Sequence, residues 1–503
     1  MGIVVNQSVK SSLVSYIGII IGFVNTILLF PKMLSLEEMG LFKLLLSVCI
    51  IIMPLVQFNS STILTKFYAH FTKEKALQNS FFSFLLILPL VGFTILIILN
   101  LILGESAYAF LFSKNSPLAV TYKWTLAPLA FFFIFSNLLE MAVFTKLRSV
   151  FATFLKTVLI RLLTTLIVVL YFFNVIGQHG LFLGFVMIYA LQFFMLLIYF
   201  FKVSEYRWES PVILIKSQYF PEIRSYMLYI FLGGSGAVIV SQIDSIMASS
   251  KLGLKYTGIY TIAFFMAVVI EIPRRNIIQV LAPLLTKAVK EENEAEVINL
   301  YRKTAINQFI ASGLVFALIA VNLKDIYNFI PTKENYADVI QGMPVFLIVG
   351  ASYVFDMLMG CNTEIIHYSR LYKWNAVLIP LLALLAIGLN LLFLDLFQSG
   401  LEAIAFATFT TIFTHNCIRA GVIYKYLRVW PFSLGHLKFL SILILLLSIQ
   451  WIIPDSHNKY LNILIKSSLT LSVGVALSKA WKISEEFTTL INRFTAEILK
   501  RFK

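Results

Sequence analysis

The chain has 503 residues, of which 59% are hydrophobic and only 13% are charged, and its mean hydropathy is +0.87. A soluble globular chain carries about 25% charged residues, so this composition, with 46 Phe and 22 Tyr, leaves too little polar surface to cover a particle in water. The composition therefore excludes a soluble protein and indicates a membrane protein. The formal net charge of +15 follows from the membrane topology described below and requires no nucleic-acid partner.

Hydropathy predicts an all-α polytopic membrane protein with about 14 transmembrane helices, because a span needs roughly 20 apolar residues to cross the hydrocarbon of a bilayer. Each span has to be helical, since backbone groups that face lipid must be hydrogen-bonded within their own segment. The predicted spans cover residues 10–31, 40–64, 79–103, 118–143, 149–175, 180–202, 223–248, 257–284, 305–323, 339–362, 374–397, 401–424, 437–453 and 460–480.

The distribution of Lys and Arg predicts that both termini lie in the cytoplasm. In that orientation about 25 of the 40 basic residues fall on the cytoplasmic side and about nine on the outer side, in agreement with the excess of positive charge found in cytoplasmic loops. The opposite orientation would reverse this excess.

An internal repeat indicates two halves of similar design, as in many transporters. Residues 9–42 align without a gap on residues 227–260. The identical pairs include Gly18 with Gly236, Leu34 with Leu252, Leu36 with Leu254, and Gly40 with Gly258. We therefore predict two pseudo-symmetric six-helix bundles at residues 1–205 and 206–430, two additional spans at 431–482 and a cytoplasmic amphipathic tail at 483–503.

The fifth predicted span, 149-SVFATFLKTVLIRLLTTLIVV-169, carries a polar stripe beside Lys156. Threonines in a membrane helix often bond only to their own backbone, but a charge near mid-bilayer costs about 3 kcal/mol and usually faces protein or water. Because the span contains no acid, Arg161 needs a carboxylate from another helix or an anion in a wet cavity. The stripe as a whole favours a cavity wall. Its members, four residues apart, are Ser149, Thr153, Thr157, Arg161 and Thr165.

The eighth predicted span holds three charges around a proline, in the stretch 268-VVIEIPRRNIIQV-280. Pro273 removes one backbone hydrogen bond and predicts a kink. Glu271 and Arg275 are one helical turn apart and can pair, which leaves the positive charge of Arg274. A salt bridge that only holds helices together would account for Glu271 and one arginine, but not for the second.

The twelfth predicted span repeats this pattern, with Thr408, Thr411, His415 and Arg419 on one face. Two interpretations stay open for each of its ionisable members. His415 is either a packed contact between helices or a proton carrier. Arg419 either faces the cavity or extends to the cytoplasmic surface.

Acidic side chains inside the predicted spans could carry protons, coordinate sodium or counter the arginines. Asp244 is the best candidate for ion coupling, because the stretch 241-SQIDSIMASS-250 surrounds it with Ser and Gln side-chain oxygens. The candidates are Glu140, Asp244, Glu271 and Asp356, with Glu402 near the outer end of its span.

Two halves that enclose a cavity with positively charged walls would suit an anionic passenger. Arginine pairs bidentately with phosphate oxygens, and a lipid-linked diphosphate could keep its acyl tail in the bilayer while the charged head enters the cavity. No cofactor is expected. The residues predicted to bind the anionic head group are Lys156, Arg161, Arg274, Arg275 and Arg419.

Four stretches resemble Wzx-type polysaccharide biosynthesis flippases of the multidrug/oligosaccharidyl-lipid/polysaccharide (MOP) exporter superfamily. They are 34-LSLEEMGLF-42, 241-SQIDSIMASSKLGL-254, 256-YTGIYTIAFFMA-267 and 271-EIPRRNIIQVLAPLLTKA-288. The resemblance implies two six-helix bundles and the movement of undecaprenyl-diphosphate-linked oligosaccharides to the periplasmic leaflet of the bacterial inner membrane by alternating access. It also implies coupling to a proton or sodium gradient, and partners among glycosyltransferases and polysaccharide polymerases.

Three other functions stay open. A lipid II flippase shares the size, the fold and the cationic cavity. Many multidrug extruders of the same superfamily carry an acid in the first span, whereas 13-LVSYIGIIIGFVNTILLF-30 has none, only Asn25. A membrane enzyme, such as a polymerase, a ligase or a lipid-dependent glycosyltransferase, would need a large outer loop. The longest predicted outer segments, 104–117 and 324–338, are short, although Asp325, Glu334 and Asp338 lie near one another in the second.

Overall fold

The computed structural model describes residues 2–71, 73–103, 116–397, 400–453 and 458–501. Within these ranges the chain is helical and contains no β-strand. Most of the predicted outer segment 104–117 lies outside the described residues.

Fourteen long helices of the described chain coincide with the fourteen predicted spans. Their bounds are α1 Lys10–Met33 (within a helix that begins at Gly2), α2 Leu36–Val56, α3 Lys75–Leu103, α4 Pro117–Thr145, α5 Ser149–Phe172, α6 Gln178–Ser204, α7 Phe220–Met247, α8 Leu254–Arg275, α9 Glu294–Val321, α10 Tyr336–Leu358, α11 Val377–Phe397, α12 Leu401–Leu427, α13 Leu434–Ile452 and α14 Lys459–Ala480. Twelve of them are long and apolar enough to cross a membrane, and α7 and α12 have 28 and 27 residues. The chain is thus an all-α polytopic membrane protein, as predicted.

Several helices are locally irregular. A 3₁₀ turn, Val269–Glu271, interrupts α8, and a new α-helix, Ile272–Lys290, follows it. Pro273 lies in the first turn of this new helix, where its missing N–H is not needed, so the α-helix is interrupted where the sequence predicts a kink. Residues Val24–Leu29 of α1 and Leu155–Leu159 of α5 are π-helical, a deviation that often occurs at functional sites.

The first compact unit consists of residues Met1–Thr261 and Pro331–Asn335. Within it α4 packs against α6, α2 against α7, and α1 against α5. One hydrophobic cluster of this unit contains many aromatic rings, with the ring centroids of Phe71 and Phe81 4.7 Å apart. Tilted and edge-to-face contacts of this kind stabilise a core beyond the burial of apolar area.

The second compact unit consists of residues Ile262–Ile330 and Tyr336–Lys503. In this unit α12 packs against α10 and α11, while α9 contacts α10, α13 and α14. Glycines allow the last two spans, α13 and α14, to approach α9 closely. A Cβ on Gly313 of α9 would lie 2.6 Å from Phe439 of α13, and a Cβ on Gly474 of α14 would lie 2.6 Å from Leu314 of α9. The predicted bundle boundaries at residues 205 and 430 stay predictions.

A C-terminal helix, α15 (Glu485–Arg501), is attached to α9 at its first turn. The ammonium of Lys303 lies 2.7 Å from a carboxylate oxygen of Glu486, and the Ser484 hydroxyl donates to Asn307 over 2.6 Å. Burial alone would raise the pKa of Glu486, but the hydrogen bonds from Lys303, its own backbone and Ser484 bring it below its usual value. The attachment is therefore complete at neutral pH and weakens as the pH falls through the pKa of Glu486.

Candidate functional site

The polar stripe on α5 is in contact with α1 around Arg161. The guanidinium of Arg161 donates to the carbonyl oxygen of Gly18, and the Asn25 amide donates to the backbone oxygen of Arg161 over 3.1 Å. The Thr165 hydroxyl completes this group, 2.8 Å from the Asn25 side-chain oxygen. A Cβ on Gly22 would lie 2.8 Å from the Arg161 Cζ atom, so the glycine leaves room for this position of the guanidinium.

Arg161 keeps an uncompensated positive charge. Among the residues that the structure describes, no carboxylate lies within salt-bridge distance of its guanidinium, which is half-buried near the middle of α5. The neutral members of the stripe are engaged elsewhere: Ser149 lies 2.8 Å from Ser11 of the first helix, and Thr157 donates to the backbone oxygen of Thr153. The stripe therefore consists of contacts to α1 and to its own helix, with one unbalanced charge.

Lys156, the other predicted basic residue of α5, is balanced by an acid. Its ammonium lies 2.8 Å from a carboxylate oxygen of Glu140 on α4, with the lysine side chain 47% exposed and the glutamate 7% exposed. Glu140 therefore balances the charge of Lys156.

Asp244 belongs to a second polar group in the first unit, between α2, α7 and the start of α8. Its carboxylate accepts a hydrogen bond of 2.7 Å from the Tyr260 hydroxyl, and it interacts electrostatically with the ammonium of Lys43. Lys43 also donates to the Gln242 side chain over 3.1 Å, and Ser47 donates to the same oxygen. Sequence reasoning missed Lys43, although an ionisable residue within a predicted span was a sufficient signal.

In the second unit Arg274 is compensated by two acids, so the expectation of a leftover charge at this position is wrong. Its guanidinium forms an ion pair with Asp356 of α10 and lies 3.5 Å from Glu364. The predicted pair of Glu271 with Arg275 is present at 3.2 Å. Glu364 was missed because it lies beyond the end of the tenth predicted span, in the short helix Asn362–Tyr368.

The same cluster includes Arg419 of α12, which does not extend to the surface. Its guanidinium donates to the Thr363 hydroxyl over 2.8 Å. Asn416 donates to Asp356 over 2.8 Å and accepts from Asn362 over 2.7 Å. Two arginines, Arg274 and Arg419, thus face two carboxylates, Asp356 and Glu364, so that the formal charges balance. His415 is buried beside this cluster, 3% exposed.

An apolar cleft of about 750 Å³ lies in the second unit beside the first of the two additional spans. Side chains of α9, α10, α12 and α13 form its walls, and Ser433 and His436 are its polar members. Phe355 lines the cleft, whereas the next residue, Asp356, holds Arg274. Helix α10 therefore joins an apolar cleft to an ionic cluster. The other apolar walls include Phe309, Phe409, Phe432, Leu437 and Leu440.

A polytopic helical fold with ionisable side chains inside its spans is typical of membrane transporters. The chain belongs to the polysaccharide biosynthesis protein family, whose sequence profile matches residues 5–289. Its fold is similar to that of the lipid II flippase MurJ in an inward closed conformation, with 14% identity, 94% of this chain and 99% of that chain covered, and a TM-score of 0.74. It is also similar to the inward-facing conformation of a multidrug resistance MATE family transporter of the MOP superfamily, with 16% identity, 84% and 95% coverage, and a TM-score of 0.62.

Comparison with curated proteins gives no match. The profile confirms the polysaccharide biosynthesis family that the sequence resembles, and the structural similarities confirm the predicted fold. Two acids of the predicted outer segment 324–338 have partners: Asp325 pairs with Lys466, and Glu334 accepts from the backbone of Leu36.

Proposed function

We propose that the protein flips an undecaprenyl-diphosphate-linked oligosaccharide, a repeat unit of O-antigen, capsule or exopolysaccharide, from the cytoplasmic to the periplasmic leaflet of the bacterial inner membrane. Family membership supports this class of substrate. In this proposal both termini are cytoplasmic, transport follows alternating access, and glycosyltransferases and a polymerase act before and after the flip. The observation that carries the proposal is the uncompensated charge of Arg161.

An unbalanced arginine within a span favours an anionic passenger. A buried charge is stabilised by a counter-charge and by hydrogen bonds, and Arg161 differs from Lys156, Arg274 and Arg275 in having no acid within ion-pair distance among the described residues. Guanidinium carries five N–H donors in a planar fork that matches phosphate oxygens. We therefore assign the diphosphate to Arg161, and the balanced cluster around Arg274 to holding its helices together.

The lipid part of the substrate needs an apolar surface next to the transport path. The cleft beside α13 has the size and the aliphatic and aromatic walls that suit an isoprenoid chain. Each CH₂ group that leaves water contributes about 0.8 kcal/mol, but a chain that moves from lipid into the cleft gains little, so the cleft would guide the tail without trapping it.

Ion coupling is assigned to Asp244. Protonation would neutralise the carboxylate that accepts the Tyr260 hydrogen bond and interacts electrostatically with Lys43, whereas a sodium ion at the same place would be repelled by the Lys43 ammonium. A proton is therefore the coupling ion that this group favours.

The Asp244→Asn variant is expected to transport without dependence on a pH gradient, because the amide mimics the protonated acid. Translocation of a fluorescent lipid-linked oligosaccharide in proteoliposomes, with and without an imposed gradient, measures this. Asp395→Asn, at an exposed position of α11, is the matched control. Gradient dependence that persists in Asp244→Asn would contradict the assignment.

The Arg161→Ala variant is expected to reduce surface polysaccharide on the order of tenfold or more, since one charge-assisted hydrogen bond contributes about 1.5–3 kcal/mol. The measurement is surface glycan and accumulated lipid-linked repeat units in cells whose only copy carries the variant, at equal membrane abundance. Arg161→Lys should retain part of the activity, and Arg207→Ala, at an exposed arginine, should behave as wild type.

The same experiment distinguishes the role of Arg161 from the proposed substrate. Normal glycan with Arg161→Ala would contradict the role of Arg161. Normal glycan after complete deletion would contradict the proposed substrate, and accumulation of lipid II in the deletion strain would indicate a peptidoglycan precursor instead.

A further inference from the structure

Two glycines that the internal repeat aligns are in contact with each other's helices. A Cβ on Gly40 would overlap with the backbone oxygen of Leu254, and a Cβ on Gly258 would overlap with the backbone oxygen of Leu36. Leu36 and Leu254 are themselves an aligned pair, so α2 and the start of α8 make the same contact in both directions. We call this reciprocal crossing the glycine seam. All four residues lie in the first compact unit.

A five-residue segment from far along the chain is bonded to the same place. Residues Pro331–Asn335 belong to the first unit, although the residues on either side of them belong to the second. The backbone N–H of Lys333 donates to the Pro31 oxygen over 2.8 Å, and the ammonium of Lys333 lies 5.7 Å from the centre of the Tyr171 ring. The Glu334 carboxylate accepts from the backbone N–H of Leu36 over 2.9 Å.

The bond to Leu36 is chemically specific. Leu36 is the first residue of α2, and the N–H groups of a first helical turn have no partner within the helix. The Ser35–Glu38 capping box satisfies two neighbouring groups, and Glu334 satisfies that of Leu36. A carboxylate at this position is also favoured by the helix dipole. Leu36 is thus held by Glu334 through its N–H, while its carbonyl faces Gly258 in the seam.

Chain connectivity ties this contact to helices of the second unit. The segment is tied covalently to the helix Leu323–Phe329 on one side and to α10 on the other. If those helices move away from α2 during transport, the bonds of Lys333 and Glu334 have to break first. A loop whose flanking helices belong to the same unit as its contacts would not connect those contacts to a second unit.

We propose that Pro331–Asn335 is a strap that holds the glycine seam shut, and that the seam closes the predicted outer side of the transport path. The inference rests on the proposed alternating-access function and adds to it the residues that set the closed state, Gly40, Gly258 and Glu334. These act by positioning helices and do not contact the substrate.

The test measures exposure of the seam rather than transport of a substrate. Thr257, next to Gly258, is fully buried, and Thr257→Cys in a background that lacks Cys49, Cys361 and Cys417 serves as the reporter. A membrane-impermeant maleimide is applied to the outer face of intact cells. We expect Glu334→Ala to raise the labelling rate on the order of tenfold, as the loss of one charge-assisted hydrogen bond predicts, and Glu334→Gln, which keeps a neutral acceptor, to raise it less.

Gly40→Ala should raise labelling as well, because the added methyl group prevents the seam from closing. Gly388→Ala is the matched control, since a Cβ there would meet nothing within 4 Å, and Asp395→Ala controls for the loss of an acid. Labelling at the wild-type rate in both Glu334→Ala and Gly40→Ala would overturn the proposal. If Gly40→Ala fails to accumulate in the membrane, the two Glu334 variants decide alone.

The outcome is independent of the substrate. Unchanged labelling, with surface polysaccharide that depends on the protein, would contradict the strap and support the proposed flippase function. Raised labelling, with normal surface polysaccharide after deletion of the protein, would support the strap and contradict the proposed substrate.

Discussion

Arg274→Met is expected to destabilise the protein by about 3–5 kcal/mol, as the removal of one partner from a buried ion pair usually does. The Arg274 side chain is 15% exposed, and its partners Asp356 and Glu364 are 16% and 13% exposed. Without the guanidinium these two carboxylates would be buried with only Arg419 to balance them. The measurement is the midpoint of thermal unfolding in detergent, together with abundance in the membrane.

The neighbouring arginine provides the control for this prediction. Arg275 is 62% exposed and pairs only with Glu271, one turn away on the same helix. Pairs of this kind contribute about 0.3–0.5 kcal/mol, so Arg275→Met should shift the midpoint far less. The double variant Arg274→Met/Asp356→Asn removes one charge of each sign and should recover much of the lost stability. Equal effects of Arg274→Met and Arg275→Met would show that the cluster contributes no stability.

The comparison of these two arginines shows what the sequence could establish. Spacing along one helix predicted the pair of Glu271 with Arg275, because residues one turn apart are necessarily neighbours. The partners of Arg274 come from α10 and from the short helix after it, and hydropathy contains no information about which helices are adjacent. The sequence therefore showed that Glu364 and Lys43 are charged, but not which residues they pair with.

Helix positions were predictable for a different reason. The length of a span is set by the thickness of the bilayer, and each of the fourteen predicted spans corresponds to an observed helix. The repeat was more informative than its few identities suggested, since the aligned pair Gly40 and Gly258 form one reciprocal contact. A glycine at a helix crossing is constrained by backbone approach, so its position persists where side chains change.

Lys466→Met is expected to loosen the last span, α14, from the second unit. The Lys466 ammonium lies 2.9 Å from Asp325, and the two side chains are only 4% and 5% exposed. Lys466 lies within α14, and Asp325 lies on the short helix Leu323–Phe329 that follows α9. Because both groups are shielded from water, the variant would leave a buried carboxylate without this partner, at a cost of about 3–5 kcal/mol.

A double-variant cycle separates the ion pair from the packing of α14. Lys466→Met and Asp325→Asn should each lower the thermal midpoint, whereas the combination should be close to wild type, because a neutral pair of similar volume is often tolerated as well as an ion pair. Lys479→Met, at an exposed position of the same helix, is the matched control and should have little effect. If the single losses simply add in the double variant, the two side chains do not stabilise each other, and the attachment of α14 depends on the glycine contact of Gly474 with Leu314 instead.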